Sequence, residues 1–122
     1  MPIYNVRRGA MVADRYRNMW LMVGFDLPVR TKIERRLASR FRHDLQNLGF
    51  ERVQYSFYGF HARTRERLDT IERNVERLIP RGEGWVLILD MTDRQFVEIR
   101  HYRGGKIAEK PPVGAPEQLV LF

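Results

Sequence analysis

Met19-Trp20-Leu21-Met22-Val23-Gly24-Phe25, followed at once by Asp26-Leu27-Pro28, decides how this chain folds. An uncharged run that stops abruptly at an acid and a proline reads as a strand buried on both faces, not one alternating between core and water. Such a strand is the first and central one of its sheet. Later elements must therefore cover two sides of it.

Working outward, Thr31-Lys32-Ile33-Glu34 has capping-box spacing, and Ile33, Leu37, Phe41, Leu45 and Leu48 recur at helical intervals until Gly49 supplies a stop. The opposite face of that helix carries Lys32, Arg35, Arg36, Ser39, Arg40 and Arg42, a basic stripe that faces either solvent or phosphate. Residues 50–62 are rich in aromatic and β-branched side chains and predict two short strands, or one strand bent near Gln54-Tyr55. A second amphipathic helix runs from Arg65 to Ile79, with Leu68, Ile71, Val75, Leu78 and Ile79 on one face and Asp69 spaced to pair with Arg73; Pro80 and Gly82 end it. Trp85-Val86-Leu87-Ile88-Leu89 reads as another buried strand. Val97, Ile99 and His101 then alternate with Glu98, Arg100 and Tyr102 as an exposed or edge strand, with Gly104-Gly105 as a tight turn beyond it.

The order β-α-β-β-α-β-β predicts an α+β, ferredoxin-like domain, with two helices on one face of an antiparallel sheet and right-handed crossovers. Tyr55, Phe57, Tyr58 and Phe60 are then expected partly on the other face, leaving apolar surface for a symmetric copy to bury in a homodimer.

A chain of 122 residues suits one domain. With no cysteine, neither disulfides nor thiolate metal sites arise, and a reducing compartment is compatible. The first twenty residues carry Arg7, Arg8, Arg15 and Arg17 without a continuous apolar stretch, so no signal peptide is indicated, and no apolar run reaches membrane-spanning length. These features lead to an expected cytoplasmic protein with no membrane partner. The net charge of +7 is concentrated early: residues 1–50 hold ten Arg or Lys against four Asp or Glu, residues 51–122 twelve against eleven. That field favours a polyanion through counterion release; an arginine-rich solubilising surface is the competing reading. Toward the end, Lys110-Pro111-Pro112-Val113-Gly114-Ala115-Pro116 is a stiff linker, and Gln118-Leu119-Val120-Leu121-Phe122 has the composition of a detached strand that docks on its own sheet edge, a sister subunit or another protein.

Few residues offer chemistry. Asp26 sits where the buried strand enters a loop, a position suited either to an Asx-type turn or to a hard cation. Two copies of Asp26 facing each other across a dimer axis would supply two oxygen ligands to Mg²⁺, leaving water and phosphate to complete the shell, with Ser56 placed to orient phosphate or water. His43, His61 and His101 share no metal-ligand spacing and are assigned no role. Dinucleotide and Walker phosphate loops are missing, and Ser56-Phe57-Tyr58-Gly59-Phe60 is only a loose echo of an RNA-recognition motif.

Four ordered motifs resemble the CRISPR-associated Cas-two family, especially its type II members. They are Trp20-Leu21-Met22-Val23-Gly24-Phe25-Asp26-Leu27-Pro28-Val29; Phe41-Arg42 with Leu48-Gly49-Phe50; Gln54-Tyr55-Ser56-Phe57-Tyr58; and Thr92-Asp93-Arg94-Gln95-Phe96. The resemblance spans about residues 19–103. It divides the chain into a basic N-terminal extension (1–18), a ferredoxin-like domain (19–103) and a proline-containing linker with a C-terminal docking strand (104–122). The extension is either a basic arm or the product of an upstream start, Met11 and Met19 being other starts. The resemblance implies a homodimer at the centre of the spacer-acquisition complex, bridging double-stranded DNA and the Cas-one integrase. It also implies a Mg²⁺-dependent endonuclease acting on single-stranded RNA or double-stranded DNA, with Asp26 as the catalytic and metal-binding residue. By the same resemblance Arg30, Lys32, Arg103, Lys106 and Lys110 contact the duplex backbone, and the terminal strand with Leu119, Val120, Leu121 and Phe122 docks on the integrase. A stand-alone endoribonuclease or deoxyribonuclease acting through Asp26 is the alternative, and a toxin-like ribonuclease or RNA-binding protein of this fold is a third.

Overall fold

In the computed structural model, which describes residues 18–107, the chain runs β1 (Met19–Asp26), α1 (Lys32–Leu48), β2 (Glu51–Gln54), β3 (Phe57–Ala62), α2 (Arg65–Leu78), β4 (Trp85–Thr92), α3 (Asp93–Val97), β5 (Tyr102–Arg103) and β6 (Lys106–Ile107). The first four strands form one antiparallel sheet in the order β2-β3-β1-β4, so β1 is interior, as its uninterrupted apolar run requires. This is the α+β, ferredoxin-like arrangement.

Because side chains alternate along a strand, β1 divides its residues between two layers. Met19, Leu21, Val23 and Phe25 join Tyr58, Phe60 and Ala62 of β3 against Phe41 and Leu45 of α1 and Leu68, Ile71 and Val75 of α2. Trp20 and Met22 point the other way and pack with Val53 and Phe96, flanked by Phe57, Met91 and Ile99. Tyr58 and Phe60 thus belong to the helix layer, contrary to the expectation that placed them partly on the far face. The register explains it, since Val23 lies opposite Tyr58 and Leu21 opposite Phe60. A bulge between Arg52 and Gln54, followed by a turn at Tyr55-Ser56, supplies the expected bend.

Thr31 caps α1, its hydroxyl accepting from the Glu34 N–H while the Glu34 carboxylate accepts from the Thr31 N–H. Gly49 ends the helix at φ 109°, a left-handed conformation that glycine adopts without Cβ strain. The buried stripe of α1 is Ala38, Phe41 and Leu45; Ile33 is 68% exposed and Leu37 also faces solvent, so the first turn overhangs the sheet instead of packing on it. In α2, Asp69 pairs with Arg65 at 3.5 Å, not with Arg73, whose guanidinium donates to Thr70 Oγ1 at 3.4 Å. Arg65 also reaches Asp90 on β4 at 3.6 Å, which keeps an otherwise costly carboxylate compensated where its side chain is only 4% exposed beneath the helices.

Two further expectations are corrected. β4 is an edge strand, and Trp85, Leu87 and Leu89 are exposed along one face where a doubly buried strand was expected. Residues 97–102 do not form an alternating strand: Thr92 and Gln95 make a second capping box and start α3, which ends at Val97, and pairing resumes only in the Tyr102–Ile107 hairpin around Gly104-Gly105. The local cap dominates over the weak alternation. No helix among the described residues is long and apolar enough to cross a membrane.

Truncating Phe41 should therefore cost about 3–5 kcal/mol of stability, as for other buried aromatics cut to alanine. Ile33→Ala should stay within about 0.5 kcal/mol, as at other exposed positions. Urea unfolding of the two variants distinguishes the observed buried stripe from the one the periodicity alone suggests.

Candidate functional site

The segment from α3 to Ile99 covers one end of the far sheet face, where Phe96 stacks on Trp20 with ring centroids 3.8 Å apart. Among the described residues nothing covers the other end. The ladder places Gly24 opposite Leu87 and Asp26 opposite Trp85, so these four residues share a face, with Phe57 beside Gly24 on β3. Trp85 is 79% and Leu87 60% exposed. An apolar strip thus runs up β4 and ends beside the one acid on this part of the sheet.

Asp26 is exposed at the strand end and pairs with no cation among the described residues. Its backbone is held from two sides. Phe25 N–H donates to the Ser56 carbonyl at 3.0 Å, which brings Ser56 to the same end of the sheet. Gly84, at φ 114°, lets the loop before β4 pass so close that a Cβ there would lie 2.9 Å from the Asp26 carbonyl oxygen. Among the described residues no group of three His, Asp or Glu side chains could hold a metal ion. The described residues of one chain therefore bring one carboxylate, Asp26, to this position.

The basic residues singled out from the sequence fall in two places. Arg30, in the loop after β1, reaches Glu83 at 3.3 Å, and Lys32 begins α1 in solvent. That loop is braced by Arg35, whose guanidinium donates to the carbonyls of Val29 and Arg30, both at 3.1 Å. Glu34 accepts from the Arg30 N–H as well, and its backbone hydrogen bond from Thr31 is the main reason its carboxyl titrates below the usual range. Arg103 and Lys106 face each other directly across the β5–β6 hairpin, both exposed. Lys110 and the docking residues Leu119, Val120, Leu121 and Phe122 lie outside the described residues, as does the basic extension up to residue 17.

Two clusters escaped the sequence reading. Tyr55, in the β2–β3 turn, is 70% exposed, and the Arg42 guanidinium lies over its ring at 5.0 Å while donating to its hydroxyl at 3.3 Å. Arg42 also lies 5.7 Å from the Phe25 ring. The clue was present, an arginine on an amphipathic helix and a tyrosine between two strands, but nothing in the spacing joins them. The second cluster is buried: His61 Nε2 and Asp93 Oδ1 are 3.5 Å apart beside Trp20, with side chains 14% and 15% exposed. Burial pushes Asp93 up to about 6, opposed by the Trp20 indole N–H, whereas burial followed by the charge of Arg63 moves His61 down.

Sheet order, the helices on one face and the acid at the end of the central strand define a ferredoxin-like α+β domain of the small kind that leaves part of its second face open. The family model for CRISPR associated protein Cas2 matches residues 19–99. A CRISPR-associated endoribonuclease Cas2 of Paracidovorax avenae is 40% identical over 107 residues, covering 88% of this chain and 96% of that protein. The CRISPR-associated endoribonuclease Cas2 2 of Rhodospirillum rubrum is 40% identical over 114 residues, covering 89% and 98%. A third such endoribonuclease, of Parvibaculum lavamentivorans, is 38% identical over 104 residues, covering 85% and 100%. The chain belongs to the Cas2 family, and its role is CRISPR-associated.

The buried His61–Asp93 pair makes the packing of the far face depend on pH. Asp93 in the folded chain holds its proton up to about pH 6, above the ordinary 3.8, so its contribution to stability is complete at low pH and declines as pH rises between those values. His61, shifted the other way, gains stability as pH rises through the ordinary histidine range. Asp93→Asn should be more stable than the parent above pH 6 and equal to it near pH 4. In a Trp85→Phe background, emission from Trp20 should titrate with a midpoint near 6 and lose that transition in Asp93→Asn. Thermal melts across pH and fluorescence titration check the two outcomes.

Proposed function

We propose that this chain acts as a homodimer that bridges duplex DNA and the Cas-one integrase during acquisition of new spacers. The observation that carries this reading is the bare end of the sheet. Trp85, Leu87 and Leu89 leave an apolar strip next to Asp26, and a copy related by a two-fold axis can bury the same strip on both partners. Such an axis brings the two copies of Asp26 toward one another.

Electrostatics supports the polyanion. Like charges directly opposite across a two-stranded ribbon are unfavourable, yet Arg103 and Lys106 occupy such a pair at the surface. A phosphate between them relieves the repulsion. Lys32 adds charge at the start of α1, Arg30 joins it when Glu83 releases it, and Lys110 follows the hairpin in the chain. Contacts of this type position a backbone without reading bases, so binding should be sequence-tolerant and weaken steeply with salt. The apolar terminal segment Leu119-Val120-Leu121-Phe122 suits strand addition to the integrase.

A second reading, metal-dependent phosphodiester hydrolysis, is favoured by the names of the relatives, which are called endoribonucleases. With one carboxylate brought there by the described residues of each chain, Mg²⁺ would be held by Asp26 from both copies, water and phosphate oxygens filling the other positions. Bound there, the ion would polarise the phosphodiester and ease deprotonation of water. Ser56, at the same sheet end, is the neighbouring hydroxyl available to orient phosphate or water. Single-stranded RNA and double-stranded DNA are the substrates of this reading.

Leu87→Asp should turn the dimer into a monomer in native mass spectra and abolish the assembly with the Cas-one protein and a short duplex. A monomer in the unmodified protein at micromolar concentration would overturn the dimer reading. Asp26→Asn should eliminate Mg²⁺-dependent cleavage while leaving the dimer and duplex affinity intact; cleavage that persists in that variant rejects the hydrolytic reading and leaves the scaffold standing. Removal of residues 117–122 should cost integrase association but not dimerisation, read by pull-down.

A further inference from the structure

Within the proposed nucleic-acid role, on which this inference rests, the structure leaves one ring in an unusual position. Tyr55 is 70% exposed although it belongs to a turn between two strands whose other aromatics, Phe57, Tyr58 and Phe60, all pack into one core layer or the other. One side of the Tyr55 ring is backed by the Arg42 guanidinium at 5.0 Å, which also anchors the hydroxyl at 3.3 Å. Arg42 pairs with no carboxylate among the described residues, and its Nε is out of contact with water without a hydrogen-bond partner. Among the described residues this guanidinium thus supports an aromatic ring and neutralises no acid.

The location matters as much as the pair. Phe25 N–H bonds to the Ser56 carbonyl, so Tyr55, one residue earlier, stands at the sheet end where Asp26 emerges from the adjacent strand. Tyr55 lies against α1, on the helix side, and therefore stays clear of the face proposed for the second copy. Two turns back along the same row of α1 is Arg35, whose guanidinium braces the loop after β1. A ring backed by a guanidinium and standing at the sheet end of the strand-end acid has the chemistry of a stacking platform for an unpaired base, because every nucleobase presents a π-face and a neighbouring cation favours the attached phosphate.

We propose that Tyr55, braced by Arg42, stacks an unpaired nucleobase of a single-stranded nucleic acid beside Asp26, giving the protein a single-strand contact separate from its duplex-backbone contacts. Bases inside a duplex have their faces covered by their neighbours, so this contact acts on single strands and on frayed or overhanging ends. Contact through the ring face makes it indifferent to the sugar. Arg42 is a positioning residue: it orients the ring and need not touch the base.

The test measures anisotropy of labelled single-stranded RNA, single-stranded DNA of the same sequence, and a blunt DNA duplex, each titrated with the full-length protein, Tyr55→Ala and Tyr55→Phe. Tyr55→Ala should weaken single-strand binding about tenfold, within the range expected for losing one base–aromatic stack. It should do so equally for RNA and DNA, leave the duplex unchanged, and leave the urea midpoint unchanged because the ring is exposed. Tyr55→Phe should bind as the parent does. Equal losses on duplex and single strand, no loss at all, a loss confined to RNA, or a Tyr55→Phe defect as large as that of alanine would each overturn the stacking contact, the last two by assigning it to a hydroxyl interaction. Unmodified protein that binds neither single strand nor duplex would bring down the nucleic-acid reading and this inference together, an outcome distinct from all the others.

Discussion

Everything in this domain depends on β1 being apolar on both sides. A strand that buries Met19, Leu21, Val23 and Phe25 on one face and Trp20 and Met22 on the other demands two covering layers, and the described residues build only one and a half. The two amphipathic helices complete the first. The second consists of a short helix whose Phe96 stacks on Trp20, and it stops before reaching Gly24, Asp26, Trp85 and Leu87. The unfinished half is where apolar surface and an unpaired acid coincide.

Charge is handled differently inside and outside that frame. Where carboxylates are buried they have neighbours: Asp90 with Arg65 beneath the helices, Asp93 with His61 beside Trp20. The first works as compensation of a charge, the second by letting burial hold the proton on the acid up to about pH 6. At the surface the pair of Arg30 and Glu83 lies largely in water, an arrangement worth little to stability.

The same distinction separates the two roles considered for Asp26. As a scaffold, the domain needs only its apolar strip and its arginines, both of which a single chain already displays. Hydrolysis asks for a metal site, to which the described residues of one chain bring a single carboxylate, so the proposed hydrolysis depends on the proposed second copy. Tyr55 stands apart from both demands, held by Arg42 on the helix side.

Local signals carried most of the architecture. The capping box at Thr31, Gly49 at the helix end and the break at Gln54-Tyr55 act within a few residues, so composition and spacing alone specify them, and the order of elements then leaves few sheet topologies. The motif containing Asp26 likewise pointed to the strand end where the structure puts it. What the sequence could not determine depends on distance through space. Trp85-Val86-Leu87-Ile88-Leu89 looks doubly buried by its residues, but β4 takes the sheet edge and its outer face stays open. Ile33 has the right helical phase yet overhangs the sheet, because phase specifies a direction and not what lies there. Residues 97–102 alternate like a strand, while the cap at Thr92 and the stacking of Phe96 on Trp20 commit the preceding turn to a helix. Arg42 with Tyr55 and His61 with Asp93 are thirteen and thirty-two positions apart, so only folding brings them into contact.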